Sequence, residues 1–193
     1  MAGESLSRPL LVALAGLPGA GKTELARRLA PVLGAEIVDR DALRAASFAP
    51  GDGSATTREA ATALAQQQIA ARLRRGESCI ADGRTLALAA DRAALAQLAC
   101  DAQADFALLW LDCPVELAIE RVRGQPAHPA PDRDEALVLA VAARFEPPAA
   151  EARLLRMDAT AAPADLAASA LAFLRSFQTG ARSADSHEAT VSP

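Results

Sequence analysis

One run of residues constrains this chain more than any other: LLVALA at 10–15 is followed at once by GLPGAGKT at 16–23. The apolar run has the length of a buried strand, and glycine, four residues, then glycine, lysine and threonine is the pattern of a phosphate-binding loop opening into a helix. Glycines let the backbone wrap so tightly that its N–H groups converge on one anion, while the helix behind them adds its positive end. Gly16, Leu17, Pro18, Gly19, Ala20 and Gly21 are therefore expected to cradle the phosphates of ATP, with Glu24 just beyond them. Lys22 would reach the β and γ phosphates, and the Thr23 hydroxyl would hold Mg²⁺. The bland alternative is a tight turn capping a helix beside a stray lysine. Against it, Lys22 is the only lysine in a chain whose other permanently basic positions are all arginine.

The rest of the chain alternates short apolar runs with amphipathic stretches, as parallel strands joined by crossover helices do. Strands are expected at 10–15, 36–39, 78–82, 105–112 and 153–158, and helices near 21–33, 56–75, 86–100, 115–123, 134–145 and 163–177. This is an α/β, doubly wound parallel sheet, and 193 residues suit one compact domain. The domain is placed at 1–177. Residues 124–133 (GQPAHPAPDR) are too rich in proline to continue a helix, so a mobile flap or lid over about 121–134 is expected. The almost apolar-free stretch 178–193 reads as a disordered tail.

Open α/β sheets bind ligands beyond the carboxyl ends of their strands, which brings three further clusters to the crevice of the phosphate loop. The first is EIVDRDALR at 36–44, where Asp39, Asp41 and Arg44 would meet a substrate. Asp41 can accept the proton of a hydroxyl attacking a γ-phosphate, and Arg44, a helical turn on, can clamp an anionic or polar group. Equally, Asp41 can cap the next helix with Arg44 as its surface partner. The second is Asp82-Gly83-Arg84 at the end of SCIAD. Asp82 suits the shell of Mg²⁺, and Arg84 either contacts substrate or pairs with a surface acid. Asp112, ending ALLWLD, rivals Asp82, but Cys113-Pro114 after it makes it look like a helix cap. The third is the flap with Arg121 and Arg123 before it. A guanidinium there can stabilise charge on a phosphoryl group in transfer, or merely pair with Glu116 and Glu120 on a solvated helix face.

Composition narrows the partners. The net charge of −4, an aromatic share of 3% and the absence of tyrosine count against nucleic acid, which calls for a basic face and stacking rings. No stretch has membrane-spanning length and no leader is evident, so a cytoplasmic protein is expected. Cys79, Cys100 and Cys113 form neither a CxxC pair nor a metal set and read as reduced thiols.

Taken in order, GLPGAGKTELARRLA, VDRDALR, ADGR, LLWLDCPVELAIERVR and ARFEPP resemble the P-loop kinase group of AAA-family ATPase-like predicted kinases. That group is similar to polynucleotide kinase, chloramphenicol phosphotransferase, gluconate kinase and zeta toxins. The resemblance spans about 10–158 and implies a 2-3-1-4-5 sheet, a lid after the fourth strand, ATP with Mg²⁺, and transfer to a hydroxyl. By position, Asp41 resembles the group's general base, Arg44 its substrate arginine, and Arg121 or Arg123 its lid arginine. Phe145 to Pro148 resembles the segment that follows the lid. The lid here departs from the usual pattern in being proline-rich and lysine-free. The resulting expectation is an ATP-dependent kinase acting on a hydroxyl of a small molecule such as a sugar, antibiotic, nucleoside or metabolite. A polynucleotide 5′-hydroxyl kinase and a non-kinase ATPase switch are the alternatives. The acceptor and the oligomeric state are not readable from these residues.

Overall fold

The computed structural model describes residues 8–49, 54–124, 134–149, 151 and 153–184. Its centre is β1 (Leu10–Ala15), a strand buried along its whole length between β3 (Cys79–Asp82) and β4 (Asp105–Asp112). β2 (Glu36–Asp39) and β5 (Leu154–Asp158) close the sheet at its edges, giving the order β2-β3-β1-β4-β5 with every neighbour parallel. The expected topology is thus present. A strand with both faces covered need not alternate, which is why LLVALA reads as one apolar run.

Seven helices surround this sheet among the described residues: α1 (Lys22–Leu33), α2 (Arg40–Ser47), α3 (Ala55–Arg74), α4 (Ala89–Asp101), α5 (Val115–Arg123), α6 (Glu135–Ala142) and α7 (Pro163–Ala184). Successive β1 side chains feed opposite cores. Leu10, Val12 and Leu14 pack with Leu29 of α1, Val138 of α6 and Leu174 of α7, while Leu11 and Ala13 pack with Ile69 of α3 and Leu95 of α4. Each fully buried leucine contributes about 1.5–3 kcal/mol. Both cores hang on β1, so the phosphate loop leaves the best-anchored strand. None of the described helices is long and apolar enough to cross a membrane.

The structure departs from the expected elements at four places. Arg40–Ser47 forms a helix that periodicity did not show, because α2 has eight residues and buries none of them. Its N-cap is Asp39, not Asp41: Asp39 Oδ1 accepts from the N–H groups of Asp41 (2.8 Å) and Ala42 (3.1 Å). α4 starts at Ala89 rather than at 86, since Leu86 sits at φ 48° in the left-handed region and cannot begin a helix. α7 continues past Phe177 to Ala184, into the stretch expected to be disordered. The remaining tail 185–193 and most of the expected flap, 125–133, lie outside the described residues.

Gly83 shows how closely β3 meets the start of α2. Its φ is 77°, and a Cβ there would lie 2.4 Å from Asp39 Oδ1 and 2.6 Å from the Asp41 nitrogen. Positive φ and backbone contact both demand glycine. Replacement Gly83→Ala is expected to lower stability by about 1–3 kcal/mol in urea unfolding. A variant as stable as the parent would show that the junction yields freely.

Candidate active site

A cleft of about 1180 Å³ opens over the carboxyl ends of β1, β2 and β3. One side is built from the loop Pro18–Thr23, Arg121 of α5, the α6 residues Leu137 and Val141, and Pro163 at the start of α7. The other side joins Asp39 to Arg44 with a face of α3 (Arg58, Glu59, Thr62, Gln66) and with Asp82, Arg84 and Asp91. The first two sequence clusters therefore share one cavity with the loop, as strand-end placement requires, and of the third Arg121 reaches it.

The loop is pre-formed. The Lys22 ammonium donates to the carbonyl oxygens of Gly16 (2.9 Å) and Leu17 (2.8 Å), tying the helix start back to the strand end. Gly19, inside the motif's variable stretch, proves as constrained as its named glycines: at φ 87°, a Cβ would meet the Ala118 carbonyl of α5 at 2.5 Å. α1 has Gly21 as its N-cap with no side-chain cap bond, an arrangement whose positive helix end suits an anion. The Gly16 N–H donates to Thr85 O at 3.0 Å, which joins the loop to the segment after β3. Glu24 lies at the cavity rim, paired with Arg28 at 2.8 Å.

Asp82 is 4% exposed, lines this cavity, and neither carboxylate oxygen has a hydrogen-bond partner among the described residues. A buried carboxylate without partners costs several kcal/mol, and a cation in the cleft would relieve it. Together with the Thr23 hydroxyl in the same cavity, this donor set fits a hard divalent ion such as Mg²⁺. Asp112, the rival, is absent from the cavity lining. It is not the helix cap its context suggested either, because Pro114 is the N-cap of α5 and Asp112 Oδ2 instead accepts from Arg156 Nε at 3.0 Å.

On the opposite wall Asp41 is one-fifth exposed and its Oδ1 lies 3.1 Å from an Arg40 guanidinium nitrogen. Arg40 also donates to Gly83 O, at 3.1 and 2.9 Å, so it fixes Asp41 against the end of β3. Arg44 lines the same wall. Arg84 is in the cavity and pairs with Asp91 of α4 at 2.8 Å. The two candidate lid arginines part company. Arg121 lines the cavity and donates to Ala159 O at 3.0 Å, whereas Arg123 stands outside it, exposed and paired with Glu135 of α6.

Arg40, Arg58 and Arg144 were not singled out from the sequence. Arg40 sits inside VDRDALR and was overshadowed by the acids around it. Arg58 and Arg144 reach the cavity from α3 and from the end of α6, and no local pattern marks them. Glu146, in the segment that resembled a post-lid motif, has a visible job: its N–H donates to Ala87 O (2.8 Å) and its carboxylate accepts from the Ala89 N–H (2.6 Å) at the start of α4.

The fold is that of the P-loop kinases. Residues 11–148 match the AAA domain family, and the chain belongs to it. Among solved structures it is similar to a gluconokinase from Sinorhizobium meliloti 1021 (18% identity, TM-score 0.66, covering 95% of this chain and 100% of that one). It is similar also to the Mycobacterium tuberculosis APS kinase CysC in complex with AMPPNP and APS (19%, 0.67, 87% and 98%). A chain of the Pnkp1/Rnl/Hen1 RNA repair complex shares 21% identity at a TM-score of 0.56, over 76% of this chain and 49% of that one. No curated protein matches the chain.

The thiols take no part in this arrangement. Burial pushes Cys79 up to about 12, and burial also raises Cys113 against the opposing pull of Arg121 and Lys22, so both stay protonated and unreactive. Cys100 is exposed. At about pH 8 a disulfide reagent should titrate Cys100 rapidly in the folded protein and Cys79 only on unfolding. Equal rates for these two thiols in the native state would contradict the burial.

Proposed function

We propose that the protein is an ATP-dependent kinase that transfers the γ-phosphoryl group to a hydroxyl of a small polar molecule. One observation carries this reading. Asp82, buried and unpartnered, ends the strand that lies between the strand feeding Lys22 and Thr23 and the strand feeding Asp41 and Arg44. Phosphate ligands on one side and a hydroxyl-activating carboxylate on the other thus face a cation ligand placed midway.

In the transfer, the acceptor oxygen bonds to the γ-phosphorus, the bond to the β–γ bridging oxygen breaks, ADP leaves, and the hydroxyl proton passes to Asp41. Lys22 exchanges its loop carbonyls for phosphate oxygens, and the N–H groups at the start of α1 hold the rest. Thr23 and Asp82 would hold Mg²⁺, which would neutralise charge on the phosphates. Arg121 is the arginine placed to meet charge on the transferred group, held ready by Ala159 O. Arg123 keeps that role only if α5 turns.

The acceptor wall favours a compact anionic or polyhydroxylated molecule. Arg44 of α2, Arg58 of α3 and Arg84 approach it from three elements, with Thr62 and Gln66 as neutral partners, and no aromatic side chain is among the described residues that line it. Nucleobases lack a stacking surface there. A polynucleotide 5′-hydroxyl acceptor is the competing case, and the RNA repair neighbour is the observation in its favour.

ATP consumption measured against sugars, sugar acids, aminoglycosides, nucleosides and oligonucleotides should single out a small polar acceptor. Preferred transfer to oligonucleotides would overturn that choice, and hydrolysis unaffected by any acceptor would favour an ATPase switch. Lys22→Ala is expected to reduce turnover at least ~10²-fold. Asp41→Asn should bind ATP normally while losing ~10²–10⁴-fold in transfer, and full transfer by it would remove Asp41 as the base.

A further inference from the structure

Arg92 of α4 is the largest side chain that the fold buries completely, at 2% exposure. A guanidinium is tolerated there only when its donors are matched. Its Nε donates to Glu151 Oε1 at 2.6 Å, and a terminal nitrogen donates to Leu86 O at 3.1 Å and Ala87 O at 3.2 Å. Glu151 lies beyond α6, far along the chain. Leu86 carries the left-handed φ of 48°, so Arg92 stabilises a backbone turn that leucine disfavours.

Further bonds run between the same two segments. Glu146 clasps the 87–89 backbone through both its N–H and its carboxylate, capping α4, whose own N-cap Leu88 offers no acceptor. Next to it the Phe145 ring stacks on Trp110 of β4 at 6.0 Å. At one end of this assembly the segment is joined to the end of α6 by the Phe145 N–H, which donates to Ala142 O at 3.3 Å, and Leu137 and Val141 of α6 wall the loop side of the cleft. The other end is Arg84 and Asp91, which wall the acceptor side.

We propose that Arg92 is a positioning residue that joins the α6 wall to the acceptor wall, so that a nucleotide docked beneath α6 orders residues 84–91 before the acceptor arrives. The proposal rests on the reading that the nucleotide occupies the loop side. Arg92 touches neither substrate. It acts through the Leu86 and Ala87 carbonyls and through Asp91 beside it in α4.

Hydrogen–deuterium exchange of the full chain, with and without Mg²⁺ and the non-hydrolysable analogue AMPPNP, tests this coupling. In the wild type, AMPPNP should slow exchange in peptides covering 16–23 and also, by ~5-fold or more, in those covering 84–91. Arg92→Ala and Glu151→Ala should keep the first effect and lose the second. A merely structural role would raise exchange equally with and without nucleotide, leaving the difference intact. Should Arg92→Ala fail to fold, Glu151→Ala decides, because Glu151 is partly exposed and leaves Arg92 its two carbonyls. A wild-type response at 84–91 in the folded variants overturns the proposal, as does loop protection in the wild type without any response at 84–91. Failure of AMPPNP to protect 16–23 in the wild type defeats the nucleotide reading and the coupling together, and is recognised by that separate signature.

Discussion

The cleft is organised by the close approach of β3 to the start of α2. Asp39 and Asp82 are opposite one another in the parallel register, and just beyond them Gly83 packs against the Asp39 carboxylate and the Asp41 nitrogen. Its carbonyl takes the Arg40 guanidinium, which in turn holds Asp41. Asp82 and Asp41, proposed above for the cation and the hydroxyl proton, are thereby set by the strand ends, with the Arg40 guanidinium as the side-chain tie between Gly83 and Asp41. Such groups need little reorganisation when charge develops, which is where electrostatic catalysis gains most.

A second economy lies in Lys22. In the absence of ligand a compact ammonium among backbone dipoles would be costly unless bonded, and two carbonyls of its own loop supply the bonds. The same bonds keep the loop wrapped, so in the proposed reaction a phosphate meets a ready cradle and Lys22 exchanges partners. A guanidinium, with its planar fork, does this less well, consistent with one lysine surviving in an arginine-only chain.

The central strands were legible because a parallel sheet buried on both faces writes itself as short apolar runs, each ended by an acid or a glycine, whereas the order of the strands came from the family resemblance alone. Helix identity was legible where turns are long, but not in Arg40–Ser47, whose eight residues bury nothing. Asp39 rather than Asp41 became the cap for a reason that only three dimensions supply: the strand ends one residue before the helix begins. Helical period did hold information about the lid arginines. Residues two apart point to different sides of a helix, so Arg121 and Arg123 could not both face the cleft. The role of Arg92 was hidden, because its partners lie at Leu86 and at distant Glu151, and a DR pair opening a helix looks like surface.

Charge ties these local devices to the choice of partner. The whole chain has 20 basic and 24 acidic side chains, yet eight basic and six acidic ones line the cleft. Four of those acids are already engaged, Glu24 by Arg28, Asp39 by the α2 cap, Asp41 by Arg40 and Asp91 by Arg84. The cleft is therefore a basic hollow in an acidic surface, and low-dielectric walls strengthen its field inside while solvent and salt screen the field outside. A small anion that enters whole feels mainly the hollow. A polyanion that must also lie along the surface feels the repulsion of the remainder, and this is the physical ground for proposing a small acceptor rather than a long nucleic acid.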